Sequence, residues 1–206
     1  MCLSIFFAYY TNLLISGYHL VDDHEIIRIH SHIQSNGFFN TLILWLKSDL
    51  AIRFRPTYWL LRVSETALIG DNMFLWHIVQ AVVTGVGTFS VYVLSRKMNC
   101  HYALSVVFSF IILCGEQCAI IWSLGPQEGW GLMFVAVSYI CVINYHNNAS
   151  TKNLILLSIC SILLAGIKES FLVIVPTEIL FLAYLQICSE QNSSSKHSIF
   201  YFLKKS

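Results

Sequence analysis

Long apolar runs alternate with short polar interruptions along this chain. Apolar residues dominate positions 1–21, 73–94, 102–115, 130–145, 154–167 and 171–187. A helix rises 1.5 Å per residue and a hydrocarbon core is about 30 Å thick, so about 20 apolar residues suffice to cross it. The pattern predicts an all-α fold: a polytopic transmembrane bundle of about six spans. Residues 1–188 form the membrane module and 189–206 a polar tail. The runs at 102–115 and 154–167 are short for a crossing, and each ends at charged residues. Helices that stop below the surface leave a wet cavity, and intramembrane charge usually lines such a cavity.

Positions 22–72 break this pattern. The segment is too polar to be a span but keeps helical patterning. Residues 37–47 read as a short helix lying in the membrane interface, with Trp45 at headgroup level. Pro56 suits a first helical position. Behind it Tyr58, Trp59, Leu60, Val63, Ala67 and Leu68 recur every three or four residues, with Arg62 and Glu65 on the other side. Gly70-Asp71-Asn72 supplies turn chemistry at the end of this second amphipathic helix.

Composition sharpens the class. Of 206 residues, 56% are apolar and 11% charged, against about 25% charged in a soluble domain. The net charge of +1 does not point to a partner class, and the lack of a basic tract or a nucleic-acid-binding signature argues against a nucleic-acid partner. The seven cysteines are irregularly spaced, mostly inside apolar runs, and read as small buried residues. The N-terminus lacks a basic n-region and a small-residue cleavage site, which favours a retained first span over a cleaved signal. Arg96 and Lys97, at the end of the 73–94 run, mildly favour the cytoplasm there. With the N-terminus also cytoplasmic, every acidic residue except Glu178 and Glu190 falls on the far side, in 22–72, 116–128 or 168–169.

Candidate chemistry collects on that side. Asp22, Asp23 and Glu25 lie with His19 and His24 at the mouth of the first apolar run. Adjacent carboxylates are tolerated when solvated, when paired with Arg, or when holding a divalent cation. Asp22 or Asp23 can serve as a general base, and Asp23, His24 and Glu25 are candidate metal ligands. Arg53 and Arg55 suit a phosphate, as does Lys168 beside Glu169. Glu116, Gln127 and Glu128 can contact sugar hydroxyls. Each piece also has a plainer reading: a solvated span end, headgroup contacts, a self-neutralising pair at a turn, or an exposed loop.

The order of these pieces is an apolar span, an acidic pair, Arg53-Phe54-Arg55-Pro56-Thr57-Tyr58-Trp59, an amphipathic helix, Gly70-Asp71-Asn72, His77, Arg96-Lys97 and then Lys168-Glu169-Ser170. It resembles the N-terminal portion of the GT-C superfamily of polytopic membrane glycosyltransferases, in the branch of protein O-mannosyltransferases and related lipid-linked-sugar-dependent enzymes. The resemblance covers roughly residues 7–175. It implies a donor sugar on a polyprenyl phosphate, an acceptor hydroxyl, and extracytoplasmic transfer with inversion. Asp22 or Asp23 would be the catalytic base. Arg53, Arg55, Glu128, Lys168 and Glu169 would bind substrate, and a divalent metal could join Asp23, His24 and Glu25. The protein would sit in the plasma membrane or the endoplasmic reticulum. Two alternatives stand beside this: a catalytically inactive truncated paralogue or lipid-binding membrane subunit, and a small transporter.

This topology puts the sequons Asn148-Ala149-Ser150 and Asn192-Ser193-Ser194 in the cytoplasm. Expressed in a eukaryotic secretory membrane, the protein should carry no glycan at either site. An endoglycosidase-sensitive mass shift lost in Asn148→Gln would reverse the assignment of sides.

Overall fold

The computed structural model describes Phe6, Tyr9, Tyr10 and residues 24–114, 124 and 127–203, with side chains to 189. Every regular element among the described residues is helical. A helical hairpin-like unit comes first: α1 (His24–Asn36), α2 (Phe38–Leu50) and α3 (Pro56–Ile69). The bundle follows as α4 (Met73–Lys97), α5 (Tyr102–Ile111), α6 (Glu128–Asn147) and α7 (Thr151–Ile167). A 3₁₀ turn (Glu169–Val173) then leads into α8 (Ile174–Leu203).

Local chemistry sets the boundaries. Gly37 separates α1 from α2 with φ +79°, a conformation that costs a side-chain-bearing residue energy. Pro56 opens α3, and the N–H of Gly70 closes it on the Thr66 carbonyl at 2.9 Å. The Asn72 side chain caps α4 by accepting from the Leu75 N–H at 3.3 Å. Arg96 and Lys97 occupy the last turn of α4, where cations complement the helix dipole. Asn99, at φ 62°, then turns the chain.

The first three helices pack around aromatic residues. Ile29, Tyr58, Trp59 and Val63 are buried together, flanked by Ile33, Phe38, Leu42 and Trp45. Trp45 stacks on Trp59 at 4.8 Å. Ile26 joins Trp76 and Leu124 in a second cluster that ties α1 to the start of α4.

Side-chain contacts fix the directions of the bundle helices. Gly129 faces Gln80 and Val83, Gly87 meets Leu132, and Lys97 Nζ donates to Asn144 Oδ1 at 2.7 Å. The contacts advance together along both helices, so α4 and α6 run parallel. α7 returns antiparallel after a short connection, and Lys168 just beyond its end reaches Glu128 at the start of α6. α8 then follows α6, with the Tyr139 and Thr177 hydroxyls 2.7 Å apart. Two junctions have no room for a side chain. A Cβ on Gly166 would overlap Thr57, joining α7 to α3, and one on Gly131 would overlap the Phe171 ring.

Among the described residues, three stretches are long and apolar enough to cross a membrane: Met73–Lys97, Glu128–Asn147 and Glu169–Ser189. Of the other expected runs, Tyr102–Ile111 and Thr151–Ile167 are shorter apolar helices, and 1–21 lies almost wholly outside the described residues. The 102–115 run stays helical only to Ile111. The helices anticipated at 37–47 and from Pro56 are present, and α1 adds a third. The face of α3 departs from expectation: Arg62 and Thr66 are fully buried, while Leu60 and Leu68 are 47% and 87% exposed.

Gly166→Ala should lower stability by about 1–3 kcal/mol, because a methyl group has no space against Thr57. Gly87→Ala, whose Cβ would meet Leu132 at an ordinary 3.5 Å, should stay within about 1 kcal/mol of the parent, since alanine's better helix propensity offsets the added contact. Thermal unfolding in detergent distinguishes the two.

Candidate functional site

One end of the bundle gathers charged side chains from widely separated parts of the chain. The starts of α4 and α6, the end of α7 and the 3₁₀ turn all meet there, with α3 packed against them. Arg96, Lys97, Asn144 and Lys152 mark the opposite end.

Arg55 caps this end of α3. Its Nη2 and Nε donate to the two carboxylate oxygens of Asp49 at 2.7 and 3.0 Å. The guanidinium also lies 4.8 Å over the Tyr58 ring and 6.0 Å over Trp59. Burial alone would raise the Asp49 pKa. Hydrogen bonding from Arg55, the nearby Trp59 N–H and the charges of Arg55 and Arg53 outweigh burial, so Asp49 titrates below the usual carboxylate range. Burial likewise works against the Arg55 cation, but Asp49 outweighs it and the charge of Glu169 adds to the effect. Arg53 is exposed.

Three more carboxylates are held nearby. Tyr58 donates its hydroxyl to Glu25 Oε2 at 2.9 Å, linking α3 to α1. Burial and then the Glu25 charge push the Tyr58 hydroxyl pKa well up, so it remains a donor. Glu65 accepts from Trp130 Nε1 at 2.7 Å and from Gln127 Nε2 at 3.2 Å. Burial raises the Glu65 pKa despite these two bonds and the Arg62 charge. Glu128 Oε1 pairs with Lys168 at 2.8 Å, so Lys168 bridges α7 to α6 instead of neutralising its neighbour Glu169, which is exposed.

Arg62 lies at the centre of this end and is wholly buried. Its Nη1 donates to the Leu124 carbonyl, and the guanidinium lies 5.0 Å over the Trp76 ring. Its Nε and Nη2 make no hydrogen bond, and neither do Gln127 Oε1 and Glu128 Oε2. Donors and acceptors are thus buried at this end without partners, which costs free energy.

Several expectations change against this geometry. Asp22 and Asp23 lie outside the described residues, as do Glu116 and His19. Of the expected metal set, Asp23 is outside the described residues, His24 is exposed, and Glu25 accepts from Tyr58. Among the described residues no group of three or more His, Cys, Asp or Glu could hold a metal. Arg55, Lys168, Glu128 and Glu169 do share one end, but Arg55 and Lys168 are already ion-paired. The sequence pattern put Arg62 and Glu65 on the side of the helix opposite its apolar positions, yet Arg62 is fully buried and Glu65 accepts from Trp130 and Gln127. Arg62 and Glu65 lie three apart on a helix otherwise rich in apolar residues, and in a membrane-type bundle that spacing signals an inward polar stripe. No family model, curated protein or solved structure matches this chain.

The two shifted carboxylates give opposite pH signatures. Asp49 has a lowered pKa, so its contribution is present above the ordinary value of 3.8 and is lost as pH falls below it. Glu65 has a raised pKa, so its contribution is full below the ordinary value of 4.5 and is lost as pH rises through the folded value. Glu65→Gln should abolish the decline above pH 4.5 and leave the acid limb intact. Melting temperatures across a pH series in detergent test this.

Proposed function

We propose that this chain is the N-terminal portion of a GT-C-like membrane glycosyltransferase. It would move a sugar from a polyprenyl phosphate to an acceptor hydroxyl on the extracytoplasmic side. The observation that carries this reading is the meeting of Arg55, Arg62, Lys168, Glu65, Glu128 and Glu169 at one end of an apolar bundle. Six spans, with α2 and α3 lying in the interface, would bring that end to one leaflet, where a lipid phosphate resides.

The roles follow from charge. Asp22 or Asp23 takes the acceptor proton as the hydroxyl oxygen attacks the anomeric carbon. The bond from that carbon to the phosphate oxygen breaks with inversion, and the electron pair leaves on the lipid phosphate. Arg53 and Arg55, or Lys168, steady this growing charge, which counts most when the donors are preorganised. Arg62 sets the local potential from beneath. Glu128 and Glu169 accept from sugar hydroxyls. Any divalent metal would need Asp23 to join Glu25 and His24, and no step here depends on one.

A second reading has one observation in its favour. Arg55 and Lys168 each already hold a carboxylate within the chain, as expected of an inactive truncated paralogue or a lipid-binding membrane subunit.

Membranes containing the protein and a radiolabelled polyprenyl-phosphate hexose should transfer sugar to an added acceptor. Asp22→Asn or Asp23→Asn should lower transfer by about 10²-fold or more, the usual contribution of a general base, at unchanged protein level. Full activity in the double variant would remove both from the mechanism. Absence of transfer by the parent, with lipid binding intact, would favour the second reading.

A further inference from the structure

A separate polar site lies between α7 and α8, where Glu178 meets Ser161, about 10 Å along α7 from Lys168 of the charged end. Glu178 is one residue from the midpoint of the apolar stretch Glu169–Ser189 and is only 3% exposed. It lies in a groove of about 320 Å³. Leu157, Ser158, Ser161 and Ile162 line one wall, and Val175, Ile179 and Leu182 the other.

The carboxylate is poorly served. Ser161 Oγ lies 2.7 Å from Glu178 Oε2 but also 3.0 Å from the Leu157 carbonyl, and one hydroxyl proton cannot serve both acceptors at full strength. Glu178 Oε1 has no hydrogen-bond partner. The nearby ionisable groups are the thiols of Cys141 on α6 and Cys160 on α7, and neither supplies a cation. An acidic side chain at this depth is costly and ordinarily faces a partner.

We propose that this groove binds a single-chain lipophilic primary amine entering from the bilayer. The ammonium group donates to Glu178 Oε1, and the chain lies along the aliphatic walls. Chemical complementarity selects the amine: a carboxyl group with one oxygen unpartnered beside an apolar slot calls for a compact basic group that also donates hydrogen bonds. Ser158 and Ser161 on α7 and Val175, Ile179 and Leu182 on α8 line a slot of about 320 Å³ that suits a slim single chain. The volume is at the lower end of the small-molecule range.

Native mass spectrometry of the full chain in detergent micelles, titrated with dodecylamine, tests the proposal. The expected result is a saturable one-to-one adduct that dodecanol does not displace. Glu178→Gln, which keeps the side-chain shape, should weaken it about tenfold or more. Ile179→Trp should fill the groove and abolish the adduct while the carboxylate remains. Circular dichroism checks that both variants retain helix content, and if Glu178→Gln unfolds, Ile179→Trp and the alcohol competition decide. Displacement by dodecanol, undiminished binding in Ile179→Trp, absence of a saturable adduct, or a co-purifying helical protein that occupies the groove would each overturn the proposal.

Discussion

The architecture depends on polar side chains turning into the protein while large apolar side chains face outward. Hydrocarbon offers no water to a stray donor or acceptor, so a helix in that environment must satisfy its own backbone and hide its polar stripe. α5 shows the rule at small scale: Ser105 and Ser109 are buried, and Val107, Phe108, Phe110 and Ile111 are exposed. α4 repeats it, burying His77, Gln80, Thr84 and Ser90 and exposing Phe74, Leu75 and Phe89. α3 extends it to a charged residue, burying Arg62 and leaving Leu68 outside. A water-soluble bundle would present the opposite faces.

That inversion makes the charged end possible. Turned inward, Glu65 of α3 meets Trp130 and Gln127 at the head of α6. Close approach of the backbones brings the rest. Gly166 lets α7 settle on Thr57, and Gly131 lets the 3₁₀ turn lay Phe171 across α6. Lys168 and Glu169 are thereby delivered beside Glu128 and Arg55. Each carboxylate at this end is held differently: Asp49 by a bidentate cation, Glu65 by neutral donors under burial, Glu25 by a phenol. Such differences separate groups that stay anionic from groups that can carry a proton, and acid and base roles need that separation. Glu178 belongs to a different environment, since its own groove supplies one shared hydroxyl.

The readable parts of the sequence were those with a strong local signal. Pro56 and the Gly70-Asp71-Asn72 turn bracket α3 as expected, and Arg96 and Lys97 close α4. α1 was harder to see because three histidines and several polar residues surround its apolar positions; only Ile26, Ile29 and Ile33 carry the spacing. The face of α3 was misread because periodicity reports that a helix has two sides without saying which medium each side meets.

Composition and hydropathy alone determined that the chain is helical, rich in membrane-length apolar stretches, and polarised with acidic residues toward one end of its runs. These properties follow from neighbours along the chain, where helical period and turn residues act within a few positions. Tertiary packing alone decided that Lys168 pairs with Glu128 across 40 positions, that Arg62 is buried against Trp76, and that Glu178 meets Ser161. Those pairings depend on the relative rotation and depth of whole helices. Glycine contacts and polar satisfaction between distant segments set that rotation and depth, and neither is written in any local stretch of sequence.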